Sequence, residues 1–225
     1  MGKTARLLIL ILAFFLITAC ARMAPTPEGP PDEEAWVEHR RALLAMQAWT
    51  LDGRVALRTE EDGWTASLRW TQWADYMDFR LRGTFGIGTT RIRGSEDWMI
   101  IENNRGEVWE TAFPEVELER LTGWQVPLGM LQWWMVGVPA PQGPAADKAI
   151  DSEGRLIYLE QLGWRVEYED YNPVGDLGLA LPGRVTVEND EVRLRVRIRD
   201  WSLSPSQPVP ELELGGVELG KVSSQ

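Results

Sequence analysis

Few residues in this chain are equipped for covalent chemistry. Cys20 is the single cysteine and His39 the single histidine among 225 residues. A lone cysteine in an exported chain has no internal disulfide partner, so it is a free thiol, an intermolecular partner or a modified residue. His39 has no local Ser and carboxylate with which to build a His-based triad. One His and one Cys cannot make an ordinary N/S zinc site. Gly86-Ile87-Gly88 is half of a G-x-G-x-x-G fingerprint. Arg91 stands where the third glycine belongs, however, and a strand pattern follows where a helix is needed. The carboxylates of Glu60-Glu61 and of Asp32 to Glu34 fall in a turn and at a helix start, where solvation accounts for them. A glycosidase needs only two carboxylates held by the fold, and nothing marks such a pair. The chain is therefore expected not to be an enzyme, with no cofactor and no metal.

The setting of Cys20 favours modification. Leu7 to Ile17 is continuously apolar behind Lys3 and Arg6, and Thr18 and Ala19 are the small residues that signal cleavage needs. Ile17-Thr18-Ala19-Cys20 resembles a bacterial lipobox, in which the cysteine becomes the first mature residue and carries lipid. Ile17 departs from the usual Leu. An ordinary signal peptide cut elsewhere is the alternative. A transmembrane helix needs roughly 20 apolar residues, and this run stops at Arg22. Residues 1–19 are thus expected to be a signal peptide. Residues 20–31, with Pro25, Pro27, Pro30 and Pro31, are expected to be an extended tether.

The formal net charge is -11, and loss of Lys3 and Arg6 with a leader carries it to about -13. That argues against nucleic acid as a partner, since phosphate binding needs a basic footprint, and against electrostatic attachment to an anionic membrane. Solubility alone accounts for the acidity. The unusual quantity is 12 Trp, more than Phe and Tyr together. It points to a heavily aromatic core or to an apolar ligand surface.

These residues must be positioned by a mainly β fold. Ala35 to Gln47 reads as an amphipathic helix, with Trp36, Val37, Leu43, Leu44 and Met46 near one broad face. From Trp49 the period is two. Trp49, Leu51, Gly53, Val55 and Leu57 alternate with polar residues, as do Trp64, Ala66, Leu68 and Trp70, and then Met77, Phe79 and Leu81. This is an antiparallel meander, continued by Thr90, Ile92, Trp98 to Ile101 and Glu107 to Glu110. Pro114 and Pro127 each open a short helix, and Gly137 with Pro139 stops the second. Pro139 to Pro144 is a loop. Strands return at Arg155 to Gln161, Trp164 to Glu169 and Arg184 to Glu188. In the last strand Val192, Leu194, Val196 and Ile198 alternate with Arg193, Arg195, Arg197 and Arg199, which are expected on a solvated outer face. Residues 204–225 have little core-forming pattern and are expected to be a mobile tail.

Three segments together resemble the LolB family, outer-membrane receptors of the bacterial lipoprotein-sorting pathway. The first is Trp49 to Ala56 (Trp-Thr-Leu-Asp-Gly-Arg-Val-Ala). The second is Gly86-Ile87-Gly88-Thr89-Thr90, similar to the family's Pro-Leu-Gly-Ser/Thr-Thr loop. The third is Leu121-Thr122-Gly123-Trp124-Gln125-Val126-Pro127-Leu128, followed by Leu131, Trp133, Trp134, Gly137 and Pro139. Asp200-Trp201 also fits. The resemblance covers roughly residues 34–203, with the lipobox in front.

The resemblance implies an open, unclosed antiparallel β-barrel over residues 32–203, with short α-helices as a lid over an apolar cavity. It implies lipoprotein acyl chains as cargo, a soluble periplasmic carrier as partner, and lipid anchoring through Cys20 to the outer membrane, facing the periplasm. Ala21, in place of the Asp that marks inner-membrane retention in enterobacteria, agrees with that address. The expected state is a monomer. The expected cavity lining comes from Trp49, Leu51, Val55, Trp64, Leu68, Trp70, Met77, Phe79, Leu81, Val192, Leu194, Val196 and Ile198. Lid contacts are expected from Leu128, Leu131 and Trp134. The same alternation serves a filled core equally well, and both uses stay open at this level. In the loop Phe85-Gly86-Ile87-Gly88, Ile87 takes the place of the family's protruding leucine, implicated in delivering cargo to the membrane. Gly86 replaces the family's Pro. A lipoprotein that binds another hydrophobic small molecule, or a purely structural outer-membrane lipoprotein, is the alternative.

Overall fold

A computed structural model describes residues 29–83, 88–122 and 126–203. Helix α1 (Glu33–Leu44) opens it. Asp32 caps this helix, its carboxylate accepting from the Ala35 N–H at 2.9 Å, and Glu33 and Glu34 lie in the first turn, where negative charge suits the helix dipole. Trp36 and Leu43 are buried. Val37 and Leu44, expected beside them, are exposed. Each follows a buried residue by one position and so turns about 100° away from it.

Six strands follow as a meander: β1 (Ala48–Arg58), β2 (Gly63–Trp73), β3 (Tyr76–Gly83), β4 (Thr89–Gly94), β5 (Met99–Asn103) and β6 (Val108–Thr111). Two short helices interrupt, α2 (Pro114–Thr122) and α3 (Leu128–Met135). The chain then adds β7 (Ala145–Ile150), β8 (Leu156–Gln161), β9 (Trp164–Glu169), the small hairpin β10 (Asn172–Val174) and β11 (Leu179–Leu181), and finally β12 (Arg184–Glu188) and β13 (Arg193–Ser202). Strand β7 has no legible apolar alternation (Ala-Ala-Asp-Lys-Ala-Ile) because it is an edge strand with one neighbour and little to bury.

The large sheet has 11 strands in the order β6-β5-β4-β3-β2-β1-β13-β12-β9-β8-β7, every neighbouring pair antiparallel. The last strand therefore sits mid-sheet and joins the early meander to the later strands. Strands β6 and β7 are the two edges, so the barrel is open. Register is fixed by burial. On β1 the inward set includes Leu51, Val55 and Leu57, opposite Trp70, Ala66 and Trp64 of β2. A one-residue slip would turn all of them to water. The β1–β13 register shifts at Asp52/Gly53. A Cβ at Gly53 would lie 2.3 Å from the Arg197 carbonyl oxygen, so only glycine allows the strands to approach there. Among the described residues, no helix is long and apolar enough to cross a membrane.

Candidate functional site

The concave face of the early meander encloses a cavity of about 310 Å³. Val55, Leu57, Trp64, Ala66, Leu68, Trp70, Phe79, Leu81, Ile92 and Ile101 line it from β1 to β5, with Leu194 and Val196 from β13 and Trp109 from β6. Its mouth is marked by lining residues that keep part of their surface: Trp64, Leu81, Gly83, Gly88, Thr90, Asn103 and Trp109. Asn103 and Thr90 are the polar side chains there. The Asn103 carboxamide is committed to its own turn, accepting from the Arg105 and Glu107 N–H groups at 2.9 and 3.1 Å. The site thus offers a ligand almost nothing but apolar contact.

Trp70 and Phe79 close the inner end. Their rings lie 4.3 Å apart between centroids, and Trp49 packs behind Trp70 at 5.0 Å with Trp201 behind it at 5.4 Å. One step further along the strands, Leu51 and Met77 are fully buried and take no part in the lining. The tryptophan-rich composition therefore serves both possibilities at once: Trp64 and Trp109 line the mouth, while Trp49 and Trp70 fill the core beneath.

Helix α3 lies inside the trough and separates two environments. Leu128, Leu131 and Met135, spaced as one helix face, line the cavity. Trp134 flanks that face without lining the cavity; it is fully buried, and its indole N–H donates to Gln161 Oε1 at 2.9 Å. Gln161, also fully buried, accepts from the Ala140 N–H at 2.9 Å and donates to the Ala140 carbonyl at 2.7 Å. All of its hydrogen-bonding capacity is spent tying the helix and the chain after it to β8. A second polar chain ties α3 to the cavity wall. The Trp70 indole N–H donates to Gln72 Oε1 (3.0 Å), Gln72 Nε2 donates to Gln132 Oε1 (2.9 Å), and Gln132 Nε2 donates to Glu96 Oε1 (2.7 Å). Burial pushes the Glu96 carboxyl above the usual carboxylate range; the Gln132 hydrogen bond opposes this, and Asp97 and Glu115 add to it.

The outer face is polar and rich in arginine. Asp78 is buried there and receives Arg91 through Nε at 3.1 Å and Nη2 at 2.7 Å, with Arg80 at 3.3 Å. Burial raises the Asp78 carboxyl, but Arg91 and Arg80 outweigh it and hold the group below its ordinary value. Arg195, Arg197 and Arg199 are exposed, on the solvated side. His39 is a packing residue. Its Nε2 lies 2.8 Å from the Ala180 carbonyl and its Nδ1 lies 3.2 Å from the Gly154 carbonyl, which fixes α1 against the later strands. Among the described residues, no group of three or more His, Cys, Asp or Glu side chains could hold a metal ion.

The structure divides the sequence-expected lining. Val55, Trp64, Leu68, Trp70, Phe79, Leu81, Leu128, Leu131, Leu194 and Val196 border the cavity. Trp49, Leu51, Met77, Trp134, Val192 and Ile198 are buried but lie outside its lining. Five of these share the inward alternation of their neighbours and differ only in depth along the barrel, which a binary pattern does not encode, whereas Trp134 differs by its place around α3. Trp109, Ile101 and Met135 belong to the lining and were not anticipated. Met135 carried a signal, the i, i+3, i+7 spacing with Leu128 and Leu131. Strand β6 is too short to show alternation. Cys20, Phe85, Gly86 and Ile87 lie outside the described residues. Gly88 is described, with φ +77°, a conformation that favours glycine; it and Gly83 flank that loop and both border the mouth.

Known proteins give this geometry a context. The family model for "Outer membrane lipoprotein LolB" matches residues 47–201. The outer-membrane lipoprotein LolB of Stutzerimonas stutzeri (strain A1501) is 36% identical over 188 residues, covering 83% of this chain and 90% of that one. The outer-membrane lipoprotein LolB of Nitrosococcus oceani is 33% identical over 202 residues, covering 89% of this chain and 99% of that one. Among solved structures, a putative outer membrane lipoprotein-sorting protein domain from Vibrio parahaemolyticus aligns over 77% of this chain and 92% of its own, at 6% identity and a TM-score of 0.45, a likeness too distant to carry an argument. The family match spans nearly the whole sheet and the relatives almost their entire length, so the chain belongs to the LolB family of outer membrane lipoproteins.

Proposed function

We propose that this protein is a lipid-anchored outer-membrane receptor that accepts lipoproteins from a soluble periplasmic carrier and inserts them into the outer membrane. The observation that carries this proposal is the apolar cavity of about 310 Å³, in a chain that belongs to the LolB family. Burial of acyl chains is worth about 0.8 kcal/mol per methylene, so releasing three chains of roughly 14 methylenes into water costs on the order of 30 kcal/mol. Free diffusion across an aqueous compartment is excluded, and each hand-over must replace one apolar environment with another. A trough with an apolar inner face and a polar outer face supplies this.

In this account Cys20 is the lipid attachment site behind a signal peptide at residues 1–19, and residues 20–31 are the tether. Residues 32–203 form the cargo-binding domain, residues 204–225 form a tail, and the protein acts as a monomer. The loop Phe85-Gly86-Ile87-Gly88 delivers cargo to the membrane. Its flanking glycines Gly83 and Gly88 border the cavity mouth, which supports that role. No step requires catalysis, and with no nucleotide involved the transfer runs downhill between apolar sites. A transfer assay tests this: cargo-loaded carrier is mixed with the protein, and the protein with liposomes. Lipoprotein should pass through this protein into the bilayer. Ile87→Glu should leave acceptance intact and abolish insertion. Failure of the native protein to accept cargo would refute the receptor role.

A further inference from the structure

The acidity of the chain is not spread evenly over the fold. On the outer face of β13, β1, β2 and β3, Arg197, Arg54, Ser67 and Arg82 form one cross-strand row, about 15 Å long at the usual spacing of neighbouring strands. Arg195 stands two residues along β13, level with Thr186, Ala56 and Thr65. All four arginines are exposed. Carboxylates of this face are engaged elsewhere: Asp52 by Arg69, Asp78 by Arg80 and Arg91, and Glu188 by Arg165 and Arg193. Among the described residues, no ion pair reaches Arg54, Arg82, Arg195 or Arg197. Asp200 on β13 and Glu167 on β9 add negative charge only at the margins. Like charges in register cost stability, and an outside anion would offset that cost.

The patch offers charge without apolar anchors. The large apolar side chains that the described residues expose are Val37, Leu44, Val108, Phe113, Val116, Leu162 and Leu177, and none lies on these four strands. A protein partner is held mainly by buried apolar and aromatic residues, whereas attraction to anionic headgroups needs only cations near the surface. The patch also runs up to the cavity rim, since Arg82 is followed by Gly83, which borders the mouth.

We propose that this arginine face docks on the anionic phospholipid headgroups of the membrane that holds the protein. It presupposes the lipid anchoring proposed above and adds how the domain lies on the bilayer. Residues 20–31 reach at most about 40 Å, so the anchor keeps the face close enough for a weak attraction to act. Docking by this face brings the rim at Gly83 towards the bilayer.

The test is flotation of the mature chain, residues 20–225, with Cys20→Ala so that no lipid of its own inserts. The vesicles are phosphatidylcholine alone or a two-to-one mixture of phosphatidylcholine and phosphatidylglycerol. Binding should require phosphatidylglycerol and should fade in high salt, where the Debye length falls to about 3 Å. Arg54→Glu/Arg197→Glu should weaken it by at least about fivefold for each arginine removed. Arg40→Glu/Arg41→Glu makes the same charge change on α1 and should leave it largely intact. If the first variant does not fold, Arg54→Gln/Arg197→Gln gives the same reading with a smaller effect. Equal binding without phosphatidylglycerol, equal loss in the two variants, or no binding to the mixture would overturn the proposal. So would an Arg54→Glu/Arg197→Glu chain that binds vesicles normally but no longer accepts cargo from the carrier, which would give the patch to a protein partner. Transfer through the native lipidated chain reads the receptor role separately, so either reading can fail alone.

Discussion

The two halves of the sheet use one alternating pattern for opposite ends. From β1 to β5 the inward side chains surround a void with an open mouth. From β8 to β12 the inward residues Leu156, Leu159, Val166, Val185 and Val187 are almost wholly inaccessible and packed. The difference lies in what faces them. The later strands receive Trp134, one of the two tryptophans of α3, anchored by a buried glutamine. The early strands receive only Leu128, Leu131 and Met135 from the same helix, which leaves space. A cavity here is thus a consequence of helix facing. A rotation of α3 by about 100°, a single residue step, would carry Trp134 to the place that Met135 holds at the cavity.

The largest test of this contrast is Trp134→Ala. It removes a fully buried ring and one of the two donors to Gln161 Oε1, so denaturant unfolding should show a loss of about 3–5 kcal/mol. A matched pair then compares the halves directly. Leu156→Ala, in the filled half, should cost well into the ~2–5 kcal/mol range for buried leucines. Leu68→Ala, on the cavity wall, should cost no more than about 2 kcal/mol, because the side chain already lacks partners on its open side. Equal costs would mean that the cavity half is as tightly packed as the other.

Electrostatic effects should be smaller. Asp78→Asn should destabilise by about 1.5 kcal/mol at neutral pH, through the loss of its charged hydrogen bonds to Arg91. The sign with pH follows from the depressed carboxyl. Its contribution is full above the ordinary Asp value of about 3.9 and is lost as pH falls through the lower folded value. Wild-type and variant stabilities should therefore converge in strong acid. Glu96 runs the other way. Its folded carboxyl is raised, so its contribution is full below the ordinary value and is lost as pH rises through the raised one. Glu96→Gln, compared with wild type by urea unfolding across mildly acidic pH, should show that opposite slope. Smallest is the outer face, where Arg54, Arg197 and Arg184 stand directly opposite one another across β1, β13 and β12. Arg197→Gln should raise stability by about 0.2–0.5 kcal/mol by thermal unfolding, since like charges in register repel.

Much of this was legible in the sequence, for identifiable reasons. Period-two runs on β1, β2, β3 and β13 are long enough to show alternation, and the prolines at 114 and 127 mark both central helices. Strand β7 and the β10–β11 hairpin were not legible, because edge and satellite strands bury too little to leave a pattern. Within the site, alternation told which side chains face inward but not which meet a void. Trp49 and Trp70 both point inward on adjacent strands, yet only Trp70 borders the cavity. That distinction depends on depth along the barrel and on the rotation of α3, neither of which is local to the residues concerned. The same holds for charge. A net charge of -11 coexists with arginines on the outer face; the alternation at Arg193 to Arg199 shows them within one strand, but the in-register row of Arg54, Arg197 and Arg184 appears only once strands are placed side by side.

The central claim is that the early half of the sheet holds an acyl chain and the later half does not. Titration with a brominated decanoyl chain, a collisional quencher of indole fluorescence, tests it most directly when native protein, Trp70→Phe and Trp134→Phe are compared. Quenching should be saturable in the native protein, clearly reduced in Trp70→Phe and unchanged in Trp134→Phe. Absence of saturable quenching, or equal reduction in the two variants, would contradict it.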